Sequence, residues 1–227
     1  MTGADAITRV TRRSVSQTRD ETRWQLAQEI SSAFDYLAKS GLFGASVGNI
    51  SVRVPDADSI LVTPLMPFIG KLTEKDILEV SMDGKLVHKR GRPTLAMQMH
   101  LAIYRCRPDV EAIVHSHAPM ATVLGICGLP IPPVTFDSVP FVNLPRVPVS
   151  HDSRWAEEVS AHIAGDAPAA LLLNHGIVTV GKSLHQAVRR ALALEDTARV
   201  LVLSYLLQQV PDALPPEAVE VLKQTSF

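Results

Sequence analysis

Val110-Glu-Ala-Ile-Val-His115-Ser-His117 is an apolar, strand-favouring run that ends on two histidines one residue apart, and Ala169-Ala-Leu-Leu-Leu-Asn-His175-Gly176 ends a second apolar run on a third. Runs of this length read as strands buried within a sheet. Working outward, Ile177 to Val180 is a further apolar run, Leu95 to Arg107 is a helix closed by Pro108, and helices are expected near Ser153 to Ile163 and from Ser183 to about Gln209. Towards the N-terminus, Trp24, Ala27, Ile30, Phe34 and Leu37 recur at three- and four-residue steps, which predicts a helix over Thr22 to Ser40 with Gly41 as a left-handed C-cap. Ile50 to Val54 and Ser59 to Thr63 flank the turn-forming Pro55, Asp56 and Asp58 and predict a hairpin; Gly128 to Pro148 reads as Pro- and Gly-rich connections. Helices intermixed with short strands, without regular βαβ alternation, favour an α/β protein of the α+β type: a central, mainly antiparallel sheet covered by helices.

The 227 residues fit one large domain, expected over residues 21–227, with residues 1–20 as a flexible N-terminal arm. With 46% hydrophobic and 20% charged residues the chain is neither disordered nor polyionic. Twenty-two Lys and Arg against 23 Asp and Glu argue against a nucleic-acid partner, and no apolar stretch is long enough to span a membrane. Cys106 and Cys127 cannot build a secretory disulfide framework, so a cytoplasmic location is expected.

On a strand, residues two apart project from one face, so His115 and His117 can reach one ion at an Nε2 or Nδ1 distance of about 2.0–2.1 Å. His175, beside a glycine that allows a tight backbone turn, is the third candidate ligand. Three neutral imidazoles with an open position outline a catalytic metal site; an isolated His-x-His pair is more often a surface or hydrogen-bonded feature. Gly176 to Ser183 also satisfies the G-x-x-x-x-G-K-[ST] phosphate-loop pattern. Ile177, Val178 and Val180 resist the backbone curl that an anion nest needs, so Gly181 and Lys182 are read as a strand-to-helix turn.

Several motifs in one order carry a family resemblance. They are Gly48-Asn49-Ile50-Ser51, Val62-Thr63-Pro64, Leu72-Thr73-Glu74-Lys75-Asp76-Ile77, His100 with Ile103-Tyr104-Arg105, Arg107-Pro108-Asp109-Val110, His115-Ser116-His117 and Asn174-His175-Gly176. Together they resemble the class II aldolase/adducin family. The resemblance implies a three-layer α/β/α sandwich, a homotetramer with the site near a subunit interface, and one divalent metal ion per subunit, zinc or manganese and in one reading iron, on His115, His117 and His175. It also implies Asn49, Thr63, Thr94 and Phe136 as substrate-binding residues.

The departures are as informative. Phosphosugar aldolases of the family usually read Pro-Ser-Ser-Glu four residues before the histidine matched by His100; here Pro93-Thr94-Leu95-Ala96 stands there, and an alanine cannot move protons. The usual Thr-Pro-Ser-Gly loop is Thr63-Pro64-Leu65-Met66, so two sources of phosphate contact have become apolar. Retro-aldol cleavage needs a base, whereas decarboxylation starts from an ionised carboxylate and needs chiefly an electron sink, with a later proton from water or His100. The expectation is a metal-dependent carbon–carbon lyase for an unphosphorylated, hydroxylated or aromatic carboxylic acid, with decarboxylation favoured. The alternatives are a retro-aldol lyase for a 2-oxo acid or sugar-derived substrate, an Fe(II)-dependent oxygenase, and a non-catalytic adducin-like module. Leu65, Met66, Phe68, Leu95, Ala96 and Phe136 would either line an apolar site or pack a core; Lys71, Arg92 and Arg146 are candidate carboxylate partners.

Overall fold

The computed structural model describes residues 3–44, 47–66, 70–87, 91–148 and 154–225. Seven strands form one sheet in the order β3-β2-β1-β4-β7-β6-β5: β1 (Asn49–Arg53), β2 (Ser59–Val62), β3 (Leu78–Ser81), β4 (Ala112–Ser116), β5 (Arg146–Val147), β6 (Ala169–Leu172) and β7 (Gly176–Gly181). Every pairing is antiparallel except β5 with β6, in agreement with the expected mainly antiparallel sheet.

Side-chain alternation along the strands divides the interior into two apolar clusters. Ile50, Val52, Ala112, Val114, Leu171 and Ile177 face the cluster built by helices α1 (Gly3–Lys39), α3 (Pro119–Ile126) and α5 (Leu184–Leu206). Ile113, Ala170, Leu172, Val178 and Val180 face the opposite cluster, covered by α2 (Met97–Cys106) and α4 (Trp155–Ile163). Helices on both faces of the sheet make the three layers that burying two apolar sheet faces requires. A short 3₁₀ helix (Phe136–Phe141) and the terminal helix α6 (Pro216–Thr225) pack together at the edge.

The predicted elements occupy their places with shifted ends. The α1 helix closes at Gly41 with φ of +80°, where the Leu42 amide donates to the Leu37 carbonyl, and the β1–β2 turn carries Asp56 at φ of +55°. At its other end α1 starts at Gly3, so the helix predicted from Thr22 begins earlier and includes most of the residues assigned to an arm. Sequence reasoning left out β3, α3, β5, α6 and the 3₁₀ helix; for α3, Pro119 at the first helical position was a usable start signal. Gly176–Gly181 is a strand paired along its length with β4, and its amides serve the sheet, so the phosphate-loop pattern forms no loop here. Among the described residues no helix is long and apolar enough to cross a membrane.

Candidate metal centre

His115 is the fourth residue of β4, and alternation from Ile113 sends it and His117 to the α2/α4 face of the sheet. His175 lies in the three-residue turn Leu173–His175 between β6 and β7, made tight by Asn174 at φ of +61° and closed by the Leu172–Gly176 pair. Because β7 is the ladder neighbour of β4, this turn is delivered directly beside the end of β4. Two glycines make the approach possible. A Cβ on Gly176 would fall 2.2 Å from the Ser116 carbonyl oxygen, and one on Gly48 would fall 2.4 Å from the His115 carbonyl oxygen. Gly48 and Gly176 therefore press the flanking backbone onto both sides of the histidine pair.

The three imidazoles converge, with ring centroids 4.8–5.0 Å apart and one ligand nitrogen of each within 4.8 Å of the others. The His115 Nδ1–H donates to the Ile177 carbonyl at 2.9 Å, which fixes the tautomer and leaves Nε2 as the unprotonated nitrogen. The His175 Nδ1 is buried without a hydrogen-bond partner. Burial first, then the neighbouring imidazoles, holds His115 well below the ordinary histidine range and His175 down to about 4. Three converging imidazoles, one oriented by a backbone carbonyl and one with a buried nitrogen lacking a partner, suit a divalent ion.

Trp155, the first residue of α4, stands against the cluster, with its ring 5.5 Å from that of His175 and 6.5 Å from that of His115. Sequence reasoning missed it; with two Trp in the chain, one just after the predicted start of a helix, only its rarity could have flagged it.

The other expected residues divide. Asn49 is paired in register with His115, and its Oδ1 accepts from the His100 Nε2–H at 2.6 Å. An amide oxygen only accepts, so His100 carries its proton on Nε2, and Nδ1 accepts from the Ser51 hydroxyl at 2.6 Å. Ser51 in turn lies 2.9 Å from the Tyr104 hydroxyl, the donor of that pair. His100 is fully buried, both nitrogens are engaged, and burial pushes it down to about 3. Where sequence reasoning assigned His100 the later proton transfer, the fold engages both of its nitrogens and uses them to hold Asn49 and Ser51.

Thr63 and Thr94 are adjacent, the Thr94 amide donating to the Thr63 carbonyl at 3.3 Å. The Thr63 Oγ1 accepts from the Ile50 amide and the Thr94 Oγ1 from the Ala96 amide, so each hydroxyl keeps its own proton to donate. Ala96 is buried in the α2/α4 cluster, whereas Leu95 is 82% exposed. Phe136 is 67% exposed on the 3₁₀ helix, which packs on α5 and α6, so within this chain it does not line the histidine cluster. Arg146 donates to the Leu129 and Gly125 carbonyls, and Lys71 and Arg92 are exposed. Phe68 lies outside the described residues.

Residues 28–202 match the family described as Class II Aldolase and Adducin N-terminal domain. The chain is 32% identical over 167 residues to the L-fuculose phosphate aldolase of Methanocaldococcus jannaschii, covering 72% of this chain and 88% of that one. It is 33% identical over 184 residues to the 3-oxo-tetronate 4-phosphate decarboxylase of Escherichia coli K12, covering 78% and 85%. Among solved structures, YgbL of Klebsiella pneumoniae superposes with a TM-score of 0.79 at 31% identity over 88% of this chain and 99% of that one. An L-fuculose 1-phosphate aldolase superposes at 0.80 with 24% identity over 88% and 95%, a likeness of fold. With the sandwich, the histidine cluster and a family match over most of its length, this chain belongs to the class II aldolase and adducin family.

Proposed function

We propose that the protein is a divalent-metal-dependent carbon–carbon lyase that decarboxylates an unphosphorylated carboxylic acid with a hydroxylated or aromatic body. The observation that carries this reading is a neutral three-histidine cluster with a methyl group, Ala96, where an aldolase of this family would hold its acid/base. His115, His117 and His175 would hold zinc, manganese or, in one reading, iron. The ion, when bound, supplies a Lewis acid that stabilises negative charge developing on a substrate oxygen.

The remaining work falls to the chain. Thr63 and Thr94 offer two hydroxyl protons side by side, and Asn49, its oxygen committed to His100, offers its amide N–H groups; this donor set suits a carboxylate or an adjacent hydroxyl. Trp155 supplies an aromatic wall beside His175. The proton that replaces CO₂ on the product carbon comes from water, since His100 is sealed and neutral. The exposed Leu95 and Leu65, in positions where the phosphosugar enzymes place a serine, support an unphosphorylated substrate. The similarity to a decarboxylase supports the reaction class, although that relative's printed substrate is a phosphate ester. The similarity to a fuculose phosphate aldolase favours retro-aldol cleavage, of a 2-oxo acid or a sugar-derived substrate, as the second reading. We further place the enzyme in the cytoplasm as a homotetramer with the site near a subunit boundary, where Phe136 of one subunit would approach the substrate.

The test is a panel of hydroxyaromatic and 2-oxo acids given to protein reconstituted with Zn²⁺ or Mn²⁺, with CO₂ and carbonyl products both quantified. Metal-dependent CO₂ release is expected, and Ala96→Glu should lower it by adding a carboxylate that competes for the open metal position. Efficient cleavage of a sugar phosphate with no CO₂ from any acid would replace this reading with the aldolase one.

A further inference from the structure

We propose that Glu195, in the middle of α5, is a positioning residue for His117. The inference rests on His117 being a metal ligand. The β4 ladder ends at Ser116, paired with Ile177, so His115 is held by strands on both sides while His117 stands one residue past the last pair. The backbone there runs directly into the corner by which the chain turns into α3, whose first residue, Pro119, follows two positions later.

That corner lacks a cap of its own. The first amides of a helix need an acceptor from outside the helix, and the N-cap residue here is Ala118, which has no side-chain oxygen. The acceptor comes instead from 75 residues away. The Glu195 carboxylate accepts from the Met120 amide at 3.0 and 3.1 Å through its two oxygens, and from the Ala121 amide at 3.0 Å. Glu195 is 2% exposed and its helix neighbours on the same face, Ala191, Leu194 and Ala198, are fully buried apolar residues. A carboxylate so placed costs far more than an apolar side chain of similar size unless its hydrogen bonds are made. The amides and the positive end of α3 make them. The carboxylate thus ties the long helix on one face of the sheet to the point where the chain leaves His117, whose side chain works on the other face.

The experiment titrates full-length, chelator-stripped protein with Co²⁺ and follows the ligand-field absorption, with no substrate present. Glu195→Gln keeps the shape and one acceptor oxygen; Co²⁺ affinity is expected to fall about tenfold, and about a hundredfold in Glu195→Ala, the range found when an outer-shell partner of a metal ligand is removed. Amide exchange at Met120 and Ala121 should quicken in both variants. Arg23→Ala, which breaks the Arg23–Glu79 pair between α1 and β3 far along the sheet, is the control for general loosening and should bind Co²⁺ within twofold of the parent. If Glu195→Ala fails to fold, Glu195→Gln decides. A folded Glu195→Gln variant within twofold of the parent, or an equal loss in Arg23→Ala, overturns the inference while leaving the metal site standing. A parent protein that takes up no Co²⁺ overturns the metal reading and the inference with it.

Discussion

Two histidine clusters share one face of the sheet, and they differ in what their nitrogens are left to do. His100, buried on α2, meets Asn49 on one side and Ser51 on the other, and Ser51 carries the contacts on to Tyr104, so both ring nitrogens of His100 are used. His115, His117 and His175 lie at the strand ends, where the His115 Nδ1 donates to a backbone carbonyl and the buried His175 Nδ1 has no hydrogen-bond partner among the described residues. Residue type is the same in both; the difference is the number of satisfied lone pairs. A histidine with both nitrogens occupied serves as a strut, and one with an unprotonated nitrogen left over is available to an ion.

The sharpest way to break this comparison is to delete ligands. His115→Ala and His175→Ala should each remove stoichiometric tight metal, read by elemental analysis of folded protein after dialysis; full metal content in both would erase the distinction between the clusters. A smaller effect is expected from the other cluster. His100→Gln should leave metal content unchanged and reduce turnover about tenfold, because glutamine can still donate to Asn49 but gives Ser51 no acceptor where Nδ1 stood, which loosens the chain that holds Asn49; loss of metal from this variant would mean that the two clusters act as one.

The buried strut also carries a pH signature with a definite sign. With His100 held down to about 3 and an ordinary value near 6.5 in the unfolded chain, the unfolded state binds the proton first as pH falls through 6.5. Its contribution is fully present above pH 6.5 and is lost progressively below it. The gap in melting temperature between the metal-free parent and His100→Gln should therefore narrow from pH 7 to pH 5; a constant gap would count against a neutral, sealed imidazole. The smallest expected effect is none: Lys182→Ala should alter neither nucleotide binding nor metal content, since Gly176–Gly181 is a strand and the Lys182 amide is taken by the Gln186 side chain. Micromolar ATP affinity lost in that variant would restore the phosphate-loop reading.

The comparison also explains what could be read in the sequence. Apolar runs ending on His117 and His175 announced the central strands and the histidines at their ends, because strand alternation fixes the face of each side chain wherever the register is known. The motif around Asn49 lies on the strand paired with His115, and the resemblance brought the third histidine to the pair, which spacing could not do. The burial of His100 was not legible because nothing local distinguishes a buried imidazole from an exposed one; its partners lie 49 and 51 residues away. The outward position of Phe136 on the 3₁₀ helix was not legible either, since an aromatic residue suits a core and a subunit boundary equally. Trp155 and Glu195 needed the assembled fold, since each acts on histidines that precede or follow it by many residues.

The β4–β7 ladder has a consequence for the order of events in folding. It joins residues such as His115 and Ile177, 62 positions apart in the chain, and such non-local pairings form late because a long loop must close before any contact rewards it. The two halves of the histidine cluster meet only when that loop has closed. An ion held by this cluster would thus be captured in the last step of maturation rather than nucleate it, and a chain refolded without metal should reach its native sheet first and load any ion afterwards.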